Sequence, residues 1–216
     1  MKKFVKIVVV LLVTLSLLVG CSSKSNTKKV IEISDLYDEG KYQEAFNLAT
    51  EYVEKYSEDY LGFRLLGWIN YELDEYEKAT ENFEKALSLN DKDDNSYVGL
   101  GVLYRSQGDY DKAIEYYNKS LEINEDNAPA LQSLVFAELY IGEFESAIEH
   151  GEKAWELSDK KNAVIASNLC IVYHYAGKEE KRDEFLQYAK DLEYESVDVL
   201  EKIISGEIEL DIAKAQ

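Results

Sequence analysis

A near-fixed interval governs this chain. Gly40, Asp74, Gly108, Gly142 and Gly177 follow one another at steps of 34, 34, 34 and 35 residues. Two residues after the first four marks come Tyr42, Tyr76, Tyr110 and Phe144, and five residues after them Ala45, Ala79, Ala113 and Ala147. The fifth mark carries Glu179 and Arg182 at those places. A turn residue, an aromatic and a small residue at this period specify a helix–turn–helix unit that cannot bury its apolar face alone, so neighbouring units must stack. The pattern points to a solenoid, an architecture that presents a binding surface far more often than a catalytic centre.

Within one period the helical phase is clear. Tyr97, Leu100, Gly101 and Tyr104 recur at three- and four-residue spacing and share a face. Gly108 breaks that helix, and Tyr110, Ala113, Ile114 and Tyr117 form the inward face of the next. The small Ala113 permits close approach of the two helices. Asp94 and Asn95 precede the first helix as candidate N-caps. Pro129, the only proline, falls in the first turn of a later helix, where its missing N–H costs little.

This layout resembles the tetratricopeptide repeat. Leu66-Gly67 and Leu100-Gly101 match the paired Leu-Gly of its first helix. Asp74-Glu75-Tyr76 and Gly108-Asp109-Tyr110 match its turn. Ala79 with Phe83 to Leu87, and Ala113 with Tyr117 to Leu121, match its second helix. The resemblance is strong over 60–127, good over 128–161 and partial over 30–59 and 162–195. It implies an all-α, right-handed superhelical solenoid of about five helix pairs, with repeats at about 30–59, 60–93, 94–127, 128–161 and 162–195. Several positions depart from the family. Leu134-Val135 replaces Leu-Gly, and Gly151 replaces a large aromatic, leaving a gap for neighbours to fill. Glu179 and Arg182 imply looser packing in the last pair. Residues 196–205 read as an amphipathic capping helix with Val197, Leu200, Ile203 and Ile204 on one face and Gly206 at its end. The tail, 206–216, reads as either a frayed helix or a disordered end. No Gly/Ser/Pro-rich linker interrupts 30–205, so the solenoid reads as one domain.

The N-terminus carries a different signal. Lys2, Lys3 and Lys6 precede an apolar run of 13 residues, Ile7 to Val19. A membrane span needs ~20 such residues, whereas a secretory signal needs fewer. The run closes Leu18-Val19-Gly20-Cys21, which resembles the lipobox of bacterial lipoproteins. That resemblance implies a signal peptide over 1–20 and diacylglycerol, with palmitate-type chains, on the Cys21 thiol. Residues 21–29 then form the lipidated cysteine and a flexible tether. The implied location is the extracytoplasmic face of a bacterial cell membrane, or the outer membrane of a two-membrane host. Each buried methylene contributes ~0.8 kcal/mol, so two or more acyl chains anchor durably. Lipoproteins of the outer-membrane assembly and pilus-pilotin type combine a lipobox with several such repeats, a resemblance of layout alone.

Loss of 1–20 leaves 21 Lys and Arg against 43 Asp and Glu, a net charge of −22. Such a body repels phosphate backbones and anionic headgroups, so nucleic acid is not an expected partner. Cys170 is the one cysteine besides Cys21 and sits in an apolar helical run, where it reads as a buried small hydrophobe. No paired CxxC, HExxH or glycine-rich phosphate loop is present, so no metal, cofactor or catalytic residue is expected.

In the family that the repeats resemble, the first helix of each pair lines the concave groove. Helical phase then assigns Leu66, Gly67, Leu100, Gly101, Leu134, Leu169 and Tyr173 to the core. It assigns Tyr37, Arg64, Trp68, Tyr71, Val98, Val102, Arg105, Gln132, Phe136, Tyr140, Ile171 and His174 to the groove. Aromatic residues and arginine dominate binding hot spots, and such a groove suits an extended or helical peptide. The family's lysine–asparagine–arginine clamp for a C-terminal carboxylate is not reproduced here. The expected function is a membrane-anchored scaffold that binds a protein or peptide through its concave groove. One alternative is a regulatory adaptor recruiting cell-wall or secretion and assembly enzymes through its acidic convex face. Another is an enzyme or small-ligand receptor around His174, which has no cysteine, serine or acid at a recognisable catalytic spacing. His150, on a second helix, reads as a surface residue.

Overall fold

The structure, a computed structural model, describes residues 27–212. The expected signal peptide and lipidated cysteine, residues 1–21, lie outside the described residues. Among them are eleven helices and no strand: α1 (27–38), α2 (Tyr42–Lys55), α3 (Tyr60–Glu72), α4 (Tyr76–Leu89), α5 (Asp94–Ser106), α6 (Tyr110–Ile123), α7 (Ala128–Ile141), α8 (Phe144–Leu157), α9 (Ala163–Tyr175), α10 (Glu179–Asp191) and α11 (Val197–Ser205). None is long and apolar enough to cross a membrane. The helices fall into two compact units, one ending at Asn90 and one beginning at Asp91.

The five periodic marks are the turns between paired helices. Gly40, Gly108, Gly142 and Gly177 take φ of 71°, 79°, 83° and 69°, and Asp74 takes 59°. This left-handed conformation costs an L-residue energy, which is why glycine stands at four of the five. At Asp74 the carboxylate accepts a hydrogen bond from the Tyr76 hydroxyl at 2.8 Å, so the side chain itself helps hold the turn.

In the first unit, α2 packs on α3 and α3 on α4. Ile33, Ala45, Ala49, Tyr52, Leu66 and Ile69 share one core. Gly62 admits Tyr52 from α2: a Cβ at Gly62 would lie 2.7 Å from the ring. The Tyr52 hydroxyl donates to Asp59, whose other carboxylate oxygen caps the Leu61 N–H at the start of α3. Residues 27–29, expected in the tether, belong instead to α1, where Lys29 pairs with Glu32 one turn on at 3.0 Å.

In the second unit, the pairs α5/α6, α7/α8 and α9/α10 pack internally, α6 meets α7, α8 meets α9, and α11 rests on α9 and α10. Ala113 and Ala147 are fully buried, as are Ala45 and Ala79 in the first unit. The core assignments made by helical phase hold, since Leu66, Gly67, Leu100, Gly101, Leu134, Leu169 and Tyr173 are all buried. Gly151 leaves no gap: a Cβ there would lie 2.6 Å from Leu169 Cδ2, which fills the space. Arg182, standing in the alanine position, has its side chain only 16% exposed and its Nε 2.8 Å from Asp183.

Two boundaries differ from expectation. Helix α5 begins at Asp94, with Asp93 in the N-cap place. Asp94 instead accepts hydrogen bonds from Asn124 Nδ2 (2.8 Å) and Asn127 Nδ2 (2.9 Å), clamping the start of α5 to the α6–α7 loop. Pro129 lies in the first turn of α7 as expected, and Asn127 caps that helix, accepting from the Ala130 N–H at 3.0 Å. Gly206 closes α11 with φ 78°. Beyond it, residues 207–212 are neither helical nor detached. Leu210 and Ile212 pack against the second unit's core, and the Leu210 N–H donates to the Tyr175 hydroxyl at 2.9 Å.

The close approach of paired helices is testable at Gly101, where a Cβ would lie 2.6 Å from Tyr117 Cδ1. Tyr117 is fully buried and cannot swing into solvent. Gly101→Ala is expected to destabilise by about 1–3 kcal/mol through overpacking. A thermal melt followed by circular dichroism checks this, and an unchanged midpoint would contradict the packing.

Candidate functional site

The expected groove residues lie on the first helix of each pair, and the two units carry different sets. In the first unit, Tyr37 near the end of α1 donates its hydroxyl to Glu72 Oε1 at 3.2 Å. Its ring lies 5.5 Å from Tyr42. Partial burial and the Glu72 carboxylate hold the phenol well above its ordinary pKa, so it stays protonated. On α3, Arg64 lies over Tyr60 at 5.9 Å. Trp68 stands edge-on to Phe83 (5.2 Å) and to Tyr71 (6.3 Å), and Tyr71 meets Tyr76 at 5.8 Å. Trp68 is half-buried because Phe83, wedged against Gly67, supports one edge of the indole.

In the second unit the rings form two groups, a connected run from Arg105 to Tyr110 and a smaller set around Tyr175. The Arg105 guanidinium on α5 sits 5.0 Å from the Phe136 ring centre on α7. Phe136 meets Tyr140 one turn later at 4.7 Å, and Tyr140 stacks on Tyr110 at 5.3 Å and 17°. Gln132, one turn before Phe136, is half-buried on the same helix. Phe144 and Tyr175 stack at 6.5 Å, and His174 lies edge-on to Tyr175 at 5.1 Å. Burial, and secondarily Arg182, lower the His174 pKa, which favours the neutral imidazole.

Of the expected residues, Arg105, Phe136 and Tyr140 are brought into contact, as are Trp68 and Tyr71. Val102 and Val98 are buried, at 8% and 3% exposure, so they support α5 from within and offer a ligand almost no surface. Phase alone could not separate them from their exposed neighbours, because α5 has buried residues over most of its circumference.

Sequence reasoning missed three features. Tyr175 stands two residues before its turn glycine, as Tyr140 does before Gly142. That register would have found it. Tyr110, read as a packing residue, is half-buried and stacked on Tyr140. His150 is not a simple surface residue: its side chain is 23% exposed and Nδ1 lies 2.9 Å from Glu138 Oε2. Glu138 is buried in α7. The hydrogen bond to Glu138 raises the His150 pKa above the ordinary imidazole value. Burial raises that of Glu138, opposed by His150.

Among the described residues no cluster of His, Cys, Asp and Glu is arranged to hold a metal. Cys170, buried in α9, has its thiol pushed up to about 12 by desolvation, with Arg182 opposing weakly.

Residues 60–93 and residues 95–127 each match the tetratricopeptide repeat family. These two stretches are tetratricopeptide repeats. The repeat architecture also recurs among solved structures. A Pseudomonas aeruginosa pilF structure superposes with a TM-score of 0.76 at 12% identity, over 85% of this chain and 84% of that one. YrrB, described as a TPR protein with an unusual peptide-binding site, gives 0.62 at 20% identity, over 81% and 90%. TTC0263, a thermophilic TPR protein of Thermus thermophilus, gives 0.65 at 18% identity, over 84% and 97%. At these identities the likeness is one of fold. Comparison with curated protein sequences gives no match. Tetratricopeptide repeats generally serve as protein-interaction scaffolds, a role the ring-lined first helices suit.

Two titrations follow. The raised His150 pKa gives stability that is fully present below the unfolded value near 6.5 and is lost as pH rises through the folded value. The Tm gap between the wild type and His150→Asn should therefore narrow from pH 6 to pH 9, from an effect of about 1 kcal/mol. A pH-independent gap would show that the pair contributes nothing. Cys170, with so little thiolate, should resist a thiol reagent in the folded protein at pH 8 at least ~100-fold more than in denaturant. Mass mapping of the labelled cysteine reads this directly.

Proposed function

We propose that this protein is a lipid-anchored, extracytoplasmic scaffold whose first-helix faces bind an extended segment of a protein partner. The observation that carries the binding half is the connected run of Arg105, Phe136, Tyr140 and Tyr110 in the second unit. Half-buried rings held by their neighbours offer contact area at low entropic cost, and arginine over a ring adds a fixed cation. The anchoring half rests on the sequence Leu18-Val19-Gly20-Cys21 behind its basic and apolar leader. YrrB, of similar fold, is described with a peptide-binding site, which agrees with a peptide ligand for this surface.

The charge supports a second reading, an adaptor that recruits a basic enzyme of the cell wall or of secretion through the acidic second helices. Between α8 and α10, however, Lys153, Lys160 and Lys181 stand among Glu152, Glu156 and Glu184. That part of the outer face is internally balanced, which favours the ring-lined face. No catalytic role is proposed.

Crosslinked capture from native membranes separates the readings. Arg105→Ala/Phe136→Ala, matched to the wild type in helicity, should weaken partner capture by about thirtyfold, a combined loss of ~2 kcal/mol for two coupled contacts that do not add. Undiminished capture that falls steeply with salt would instead place binding on the acidic face. For the anchor, Cys21→Ser should move the protein from the membrane to the soluble fraction. Retention on the membrane would overturn lipidation at that residue.

A further inference from the structure

The last described residues carry a pattern that the solenoid does not need. Glu207-Ile208-Glu209-Leu210-Asp211-Ile212 alternates acid and aliphatic, the period of an extended chain and not of a helix. After the left-handed Gly206 the chain leaves α11 and returns across the second unit. Leu210 and Ile212 turn in and are half-buried against the core that includes Tyr175 and Phe144 as flanking residues. Glu207, Glu209 and Asp211 turn out and are exposed, and Ile208 is exposed as well, so the grip is that of Leu210 and Ile212. The Leu210 N–H donates to the Tyr175 hydroxyl at 2.9 Å. Asp211 comes near enough to Tyr140 to contribute, after burial, Tyr110 and Tyr175, to the raised pKa of that phenol. The segment thus docks on Tyr175, whose ring stacks on Phe144, at the end of α9, the first helix of the pair that follows the one carrying Phe136 and Tyr140 in the partner surface proposed above.

We propose that residues 207–212 are an internal ligand of this face, and that the external ligand it displaces is an extended segment with aliphatic residues at alternate positions. This inference rests on the ring-lined face being a binding surface and adds the class of ligand and its regulation. The docked segment shows which features the face reads. It takes aliphatic side chains two residues apart and one main-chain N–H at Tyr175, while the intervening residues meet water and go unread. The three acids of the segment face a body of net charge −22 once the leader is removed. Like charges weaken the latch at ordinary ionic strength. A partner segment with the same aliphatic spacing and fewer acids would bind the same contacts without that penalty and displace it. While the latch is closed, the apparent affinity for such a partner is reduced by the fraction of molecules that are open.

The test uses the full chain and a fluorescent peptide with the sequence of Glu207 to Gln216. Leu210→Asp/Ile212→Asp removes the aliphatic grip while keeping the chain length. The opened variant is expected to bind the peptide saturably, at least about tenfold tighter than the wild type. A peptide of the same composition with its three aliphatic residues adjacent should not bind. Amide exchange provides a readout independent of that variant: the Leu210 amide should be protected in the wild type and exchange faster in Tyr175→Phe. The proposal is overturned if the opened variant, with unchanged helicity, ignores the peptide or binds both peptides equally. It is also overturned if the Leu210 amide exchanges in the wild type at the rate of an unprotected chain. Should the opened variant lose helicity, the exchange measurement decides alone. A failed peptide with partner capture still lost in Arg105→Ala/Phe136→Ala removes only the latch. A bound peptide with partner capture indifferent to that variant removes only the scaffold.

Discussion

Each clear repeat depends on one contact, an aromatic ring of the second helix lodged against a glycine of the first. Phe83 fills the space above Gly67, and Tyr117 does the same above Gly101. Both rings are fully buried. A side chain of any size at the glycine would push the helices apart, and a smaller ring replacement would leave a void with a cost that grows with its volume. The same contact shapes the candidate face. Phe83 is also the ring against which Trp68 stands edge-on, so the packing that closes the pair holds the half-buried indole in place. Where Gly151 reverses the arrangement, with the glycine on the second helix, Leu169 of the following pair fills the space. The tight approach there joins consecutive pairs.

How far the chain could be read depended on whether a property was local and periodic. The turn positions are conformational requirements of single residues, and the left-handed φ values at all five marks show why they recur. The buried alanines and the Leu-Gly pairs are legible for the same reason, since each serves one contact repeated from unit to unit. The candidate site was legible only in part. Arg105, Phe136 and Tyr140 do meet, but Val98 and Val102 share their helical phase with accessible residues and are nonetheless buried. Exposure depends on how closely neighbouring elements stand, which phase does not encode. The Glu138–His150 pair was invisible because its members come from successive helices with no spacing rule to link them. The C-terminal segment, 207–212, was misread for a related reason: composition describes its polarity, while its placement comes from packing on the second unit's core and a hydrogen bond to a tyrosine 35 residues earlier.

Electrostatics plays two separate roles. Many of the ion pairs among the described residues are exposed and join residues three or four apart, as in Lys78–Glu75, Lys119–Glu115 and Lys160–Glu156. Such pairs contribute a few tenths of a kcal/mol each and chiefly keep the outer surface solvated. The polar contacts that fix geometry are few and join elements: Asp94 to Asn124 and Asn127, Glu138 to His150, and Glu152 to the Tyr173 hydroxyl at 2.5 Å. They tie the start of α5 to the α6–α7 loop, α7 to α8, and α8 to α9.

Helix α11 stands where another pair would begin, but no second helix follows it among the described residues. Its inner side buries Leu200 and Ile203, while Asp198, Glu201, Lys202 and Glu207 face outward. A stack of like units has an inherent hazard: the surface that receives one unit will receive the next, including the first unit of another molecule, and such head-to-tail addition makes open filaments. A charged outer face on the terminal helix ends that series. With Leu210 and Ile212 folded back against the second unit's core, part of the apolar surface at this end is covered from within the chain.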